Sequence, residues 1–117
     1  KVLPRLTDKI LSFSYRVPTN IVASSDITLN LETEVTRNSL LSFLTKKCSN
    51  SLYVKVNTES LVSMDYEKEE SSAIIDVQWI KVAGNVVKIV LWYDNEWGYS
   101  ARVLDLVNKL IDLKNSA

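Results

Sequence analysis

The chain has 117 residues, 46% of them hydrophobic, enough for one globular core and too few for two full-sized ones. Lys plus Arg and Asp plus Glu both total 14, so no net field draws nucleic acid or an anionic membrane surface to it. With no histidine and a single cysteine, Cys48, it has no internal disulfide, no Ser-His or Cys-His catalytic pair of its own and few routes to a zinc site.

In chain order, LSFSYRVPT from Leu11 to Thr19 alternates apolar and polar residues, and Pro18 holds Val17 extended, so a strand ending near Thr19 is expected. Residues 21–32 alternate again, with Ile27, Leu29 and Leu31 set against Thr28, Asn30 and Glu32, as a second strand with one buried face would. Thr36 is placed to cap a helix over RNSLLSFLTKKC, whose Leu40, Leu41, Phe43, Leu44 and Cys48 follow one helical face and whose Lys46 and Lys47 suit its C-terminal dipole. On that face Cys48 reads as a small hydrophobe, not a reactive thiol.

Strands are expected over Leu52–Val56, Leu61–Tyr66, Ile74–Val82 and Val86–Tyr93, with EKEE at 67–70 as a solvated turn and Ala83-Gly84-Asn85 turning the last two into a hairpin. From Asn95 or Gly98 onward, Val103, Leu104, Leu106, Val107, Leu110, Ile111 and Leu113 make a helix apolar on more than one face, which calls for packing on two sides. Strands in succession, not in alternation with helices, favour an α+β fold with a mostly antiparallel sheet, a covering helix and a C-terminal helix. No apolar run nears the roughly 18 residues of a membrane span and no signal-peptide layout opens the chain, so a cytoplasmic protein with no membrane partner is expected. Lys1 in first place and a lone Met64 mid-chain suggest a fragment or processed chain.

Three segments carry a family resemblance: KVLPRL at 1–6, YRVPTNIVASSDITLNLE at 15–32 and GNVVKIVLWYDNEWGYSARVLDLV at 84–107. In this order they resemble the C-terminal part of the phosphorylating glyceraldehyde-3-phosphate dehydrogenases, whose pattern runs K-V-x-P-x-L, F-R-V-P-T, V-x-D-L-T and W-Y-D-N-E-[WF]-G-Y-S-x-R-V-x-D-L. LVSMDY and SSAIID match between them. The likeness spans nearly the whole chain and rests most on LWYDNEWGYS.

The resemblance implies a partial C-terminal catalytic domain over 1–117: sheet and helix over 1–94, then a helix over 95–117 that packs on a Rossmann domain outside this chain. It implies a glycolytic and gluconeogenic oxidoreductase, a homotetramer in the family, that converts glyceraldehyde 3-phosphate, inorganic phosphate and NAD to 1,3-bisphosphoglycerate and NADH. NADP stays open because that choice is read mainly by the Rossmann domain. The family's nucleophile motif S-C-T-T-N and its histidine would precede residue 1, so no catalytic residue and no metal ligand is expected here, and the isolated chain is expected to be inactive.

Of binding residues, Arg16 matches the arginine that holds a substrate phosphate, a task suited to a guanidinium fork. Asn95 matches the residue whose amide holds the nicotinamide carboxamide, although its composition equally suits a helix cap. Tyr99 corresponds to a tyrosine beside the nicotinamide ring, and Glu96 borders the pocket without a defined role. Trp92, Tyr93 and Trp97 read as core or interface aromatics and Gly98 as a backbone requirement of the turn.

The chain departs from the family at Glu70, where a histidine is common, at Ala101, where asparagine is usual, and across 50–60, which is short of glycine. Two other readings stay open: an erythrose-4-phosphate dehydrogenase, which shares D-N-E-W-G, and a non-catalytic interaction module derived from the enzyme.

Overall fold

A computed structural model describes residues 3–116; Lys1 and Val2, which open the KVLPRL match, and Ala117 lie outside the described residues. The elements are β1 (Ala23–Asn30), α1 (Arg37–Cys48), β2 (Val54–Asn57), β3 (Ala73–Ala83), β4 (Val86–Tyr93) and α2 (Trp97–Asn115), with 3-10 turns at Pro4–Leu6 and Ser63–Tyr66. The strands form one mixed sheet in the order β1-β4-β3-β2. β4 is antiparallel to both β1 and β3, and β2 runs parallel to β3, so the fold is α+β with a mostly antiparallel sheet.

The local chemistry explains several elements directly. Gly84 and Asn85 join β3 to β4 across the Ala83–Val86 pair, and the positive φ of 61° falls on Gly84 alone, as a II′ hairpin turn requires at its first central residue. Thr36 Oγ1 accepts from the Ser39 amide at 3.1 Å while Ser39 Oγ accepts from the Thr36 amide at 3.1 Å, so the two residues close a capping box on α1. Between Asp76 and Lys81 the β3–β4 register shifts, and Arg37 at the start of α1 donates to the Ile80 and Val77 carbonyls that this leaves, at 3.3 and 2.9 Å.

Alternation along β3 and β4 sorts apolar side chains onto two faces. Ile75, Ile80, Val87 and Ile89 are buried on the α1 side, where Leu40, Leu44 and Cys48 of the helix pack against them. Cys48 is half-buried there, in the role of a small hydrophobe. On the other face Val22, Tyr66 and Ile74 form a second cluster with Trp92 beside it. Trp92 stacks on Tyr66 at 5.5 Å between ring centroids and donates its indole N–H to the buried Asp76 at 3.0 Å. Burial and the nearby Asp76 carboxylate push the Tyr66 hydroxyl above its ordinary pKa. Val22 keeps a φ of 68°, a strained value for a β-branched residue, and is held there within this cluster.

Two expected strands differ. Residues 10–19 pair with nothing among the described residues: Leu11, Phe13, Tyr15 and Val17 lie on the same side in the alternation, and all four are exposed. The alternation is that of a strand, but a strand exists only where another backbone completes its ladder. Leu61–Tyr66 is a loop ending in the 3-10 turn, because the Asp65 carboxylate accepts from the Val62 amide at 2.8 Å and closes the chain on itself. In α2 the apolar residues Leu104, Leu106, Leu110, Ile111 and Leu113 are all more than half exposed, so the two-sided packing expected of them is not supplied by residues 3–116.

Candidate functional site

The junction between β4 and α2 is built on Asp94, 1% exposed. Its carbonyl accepts the first helical bond, from the Gly98 amide at 3.2 Å, and its carboxylate accepts from the amides of Glu96 at 2.9 Å and Trp97 at 2.8 Å. The Asp94 side chain therefore closes the start of α2 from three residues ahead of Trp97, a role the adjacent Asn95 does not take. The second carboxylate oxygen accepts from the Lys68 amide at 2.8 Å, tying the helix start to the loop before β3. Burial pushes the Asp94 carboxyl up, and the three backbone donors outweigh that and hold it below the usual carboxylate range.

Gly98 follows one turn later and is buried against the same loop. A Cβ there would stand 3.2 Å from the Ser71 carbonyl oxygen, so the glycine is required by close approach of a helix to a backbone and not, as expected, by turn conformation. Alanine at an open helical position stabilises by about 1 kcal/mol relative to glycine. Gly98→Ala is expected to reverse that sign and destabilise by about 1 kcal/mol, as overpacking against fixed backbone does. Urea unfolding checks it, and a higher midpoint would mean that the loop yields.

One turn further, Arg102 Nη1 donates to the Glu70 carbonyl at 3.2 Å and to Ser72 Oγ at 3.0 Å, while Nε pairs with Asp105 at 2.7 Å and the guanidinium lies 4.7 Å from the Tyr53 ring centre. Within the loop, Glu69 accepts from the Ser71 amide at 3.0 Å and from Lys55 at 2.8 Å. Partial burial pushes the Glu69 carboxyl up, and these partners outweigh it and lower its pKa.

Beside this stripe opens a hollow of about 270 Å³ lined by Ser72, Tyr93, Asp94, Asn95, Gly98, Tyr99 and Arg102. Asn95 and Tyr99 are both exposed at its wall, Tyr99 to 71%, and no residue of the described chain hydrogen-bonds the Asn95 amide. Whole ligand sites run to about 300–1,000 Å³, so the hollow suits one ring of a ligand and not a dinucleotide. An exposed side-chain amide beside an exposed aromatic ring offers a donor, an acceptor and a flat apolar face to a ligand.

The structure thus brings Asn95 and Tyr99 together at the hollow, whereas Glu96 is exposed and does not line it. Arg16 is not brought to them: it lies exposed on the extended 10–19 segment and does not line the hollow. Trp92 is a core aromatic as expected, and Trp97 is 46% exposed. Asp94, Arg102 and Ser72 were not singled out from sequence as site residues; the spacing of Asp94 to Trp97 was the one legible signal, an Asp three residues ahead of the helical run. The hollow holds no thiol, since Cys48 packs at the end of α1 against the core. Among the described residues no group of three or more His, Cys, Asp or Glu could hold a metal, and no helix is long and apolar enough to cross a membrane. Such a surface can bind and orient.

The sequence profile described as "Glyceraldehyde 3-phosphate dehydrogenase, C-terminal domain" matches residues 1–95. Among curated relatives, the cytosolic glyceraldehyde-3-phosphate dehydrogenase 3 of Zea mays is 41% identical over 97% of this chain and 35% of its own length. The cytosolic enzyme of Gracilaria gracilis is 37% identical over the same shares, and glyceraldehyde-3-phosphate dehydrogenase 2 of Staphylococcus aureus is 39% identical over 94% of this chain and 32% of its own. The chain spans about a third of the length of these relatives.

Proposed function

Because the chain belongs to the glyceraldehyde 3-phosphate dehydrogenase C-terminal domain family, we propose that it supplies the nicotinamide-orienting wall of a phosphorylating, NAD-dependent glyceraldehyde-3-phosphate dehydrogenase. NAD, when bound, would supply the hydride acceptor. Asn95 offers its amide to the carboxamide, Tyr99 flanks the ring and the Asp94 cap fixes the backbone from which both project. Arg16 would hold a substrate phosphate once the 10–19 segment is paired, and α2 would bury its apolar side on the Rossmann domain. The full-length protein would work in the cytoplasm as a homotetramer on glyceraldehyde 3-phosphate and inorganic phosphate. The observation that carries the reading is the exposed, unbonded Asn95 amide beside Tyr99 in a ring-sized hollow.

The test uses both lengths of protein. Full-length protein is expected to produce NADH from glyceraldehyde 3-phosphate, phosphate and NAD, faster than from erythrose 4-phosphate, and the 117-residue chain alone is expected to produce none. Arg16→Ala in the full-length protein is expected to raise the KM for the phosphorylated aldehyde about tenfold, the worth of a charge-assisted hydrogen bond. A full-length protein without this activity would remove the enzymatic reading and leave the interaction module.

A further inference from the structure

Asp94, in the turn that leads into α2, and Gly98 and Arg102 on α2 are spaced by four, and all three meet a single loop, Lys68–Ser72, Asp94 and Arg102 by hydrogen bonds and Gly98 by close approach. Tyr99 follows Gly98 about 100° around the helix axis, and Asn95 sits in the turn that leads into α2, at the same hollow. The rotation of α2 about its axis therefore decides whether the amide and the ring face the hollow, and the loop is what fixes that rotation. The cap acts only at the helix start and the glycine only by contact. Arg102 reaches furthest along the axis and joins three elements at once: the loop through Glu70 and Ser72, α2 itself through Asp105, and the residue before β2 through the Tyr53 ring.

The loop is itself held. Lys68 has a φ of 65°, a value a lysine keeps only under constraint, and its amide is the one bound by Asp94. Glu69 ties the loop to β2 through Lys55. A rotation of α2 would have to break the contacts of Arg102 and drive Gly98 past the Ser71 carbonyl.

We infer that Arg102 is a positioning residue: its clamp on the Lys68–Ser72 loop sets the rotation of α2 and so turns Asn95 and Tyr99 into the nicotinamide-facing hollow. The inference rests on the proposed NAD-dependent function. It acts on the nicotinamide end of the cofactor alone, because Asn95 and Tyr99 are the residues it positions.

The experiment is calorimetric titration of the full-length protein with NAD and with ADP-ribose, which lacks the nicotinamide ring, well below the melting temperature. In Arg102→Met the Kd for NAD is expected to rise about tenfold, the worth of one well-made hydrogen bond lost at the ring, while ADP-ribose binding stays within about twofold. Arg102→Lys keeps the charge and loses the fork, and is expected to fall between the two. Equal weakening of both ligands in Arg102→Met would mean general loss of structure, and no weakening of either would mean that the helix holds its rotation without the arginine; each overturns the inference. If the unsubstituted protein binds NAD no more tightly than ADP-ribose, the reading of the hollow as a nicotinamide site fails instead, which is a separate result.

Discussion

Asp94→Ala is expected to destabilise the 117-residue chain by about 3 kcal/mol, lowering its thermal midpoint by ~10 °C or more. The substitution removes an acceptor from three backbone amides, those of Lys68, Glu96 and Trp97, at a site 1% exposed to solvent. Loss of a helix cap alone costs about 1 kcal/mol, and the remainder comes from part-buried donors left without a partner. The same carboxylate contributes, as Glu69 does, to the acid sensitivity of the fold. Its pKa is held below the usual range because the three donors outweigh the effect of burial. A carboxylate depressed in the folded state stabilises fully above its unfolded pKa of about 3.9 and loses that contribution as pH falls through the lower folded value. Thermal midpoints by circular dichroism from pH 7 to pH 2.5 should therefore drop below about pH 4 in the unsubstituted chain and fall less steeply in Asp94→Ala, where the Glu69 contribution remains. Parallel acid limbs for the two proteins would show that Asp94 is not the group responsible.

Asn95→Ala, one position on, is expected to do the reverse: about a hundredfold loss of kcat/KM for NAD in the full-length enzyme, close to 2.7 kcal/mol, with stability unchanged within about 0.5 kcal/mol. The Asn95 side chain is exposed and bonds nothing in the described chain, so its removal exposes no donor and opens no cavity. On the proposed function, what would be lost is the orientation of the nicotinamide ring, and misplacement of reacting groups is costly in rate without being costly in fold. Steady-state kinetics with NAD as the varied substrate, alongside urea unfolding, separates the two quantities. A variant that retained full kcat/KM would remove Asn95 from the proposed site.

The neighbours Asp94 and Asn95 also mark where the sequence stops being readable. Aspartate and asparagine cap helices about equally well, so local composition offers two adjacent caps and no means of choosing. The choice is made by Lys68, which donates across a separation of 26 residues, and by the burial that follows. Gly98 has the same character: a glycine near a turn suggests backbone conformation, whereas the actual constraint is the Ser71 carbonyl on another segment. Arg102 could be read from sequence only as part of a motif, because its partners at Glu70, Ser72 and Tyr53 all lie elsewhere in the chain.

Where structure depends on neighbours in sequence, the expectations held. The Thr36 cap and the extent of α1, the Gly84-Asn85 hairpin, the bounds of β4 and the core role of Trp92 follow from spacings of a few residues. The LWYDNEWGYS segment and its companions carried the family in the same way, as identities read along one strand of text. Where structure depends on a partner, they did not. Residues 11–19 alternate like a strand and have no ladder, 61–66 folds onto its own Asp65, and the parallel direction of β2 against β3 has no signature in either strand.

By itself the sequence determined the family and the α+β class, because periodicity, turn chemistry and motif identity are local properties. Only the tertiary structure decided that Asp94 holds the helix start, that one loop grips α2 at three successive turns, and that Asn95 and Tyr99 are left free beside it. Those are hydrogen bonds and contacts between segments far apart in the chain, and their energy depends on distances that no single segment contains.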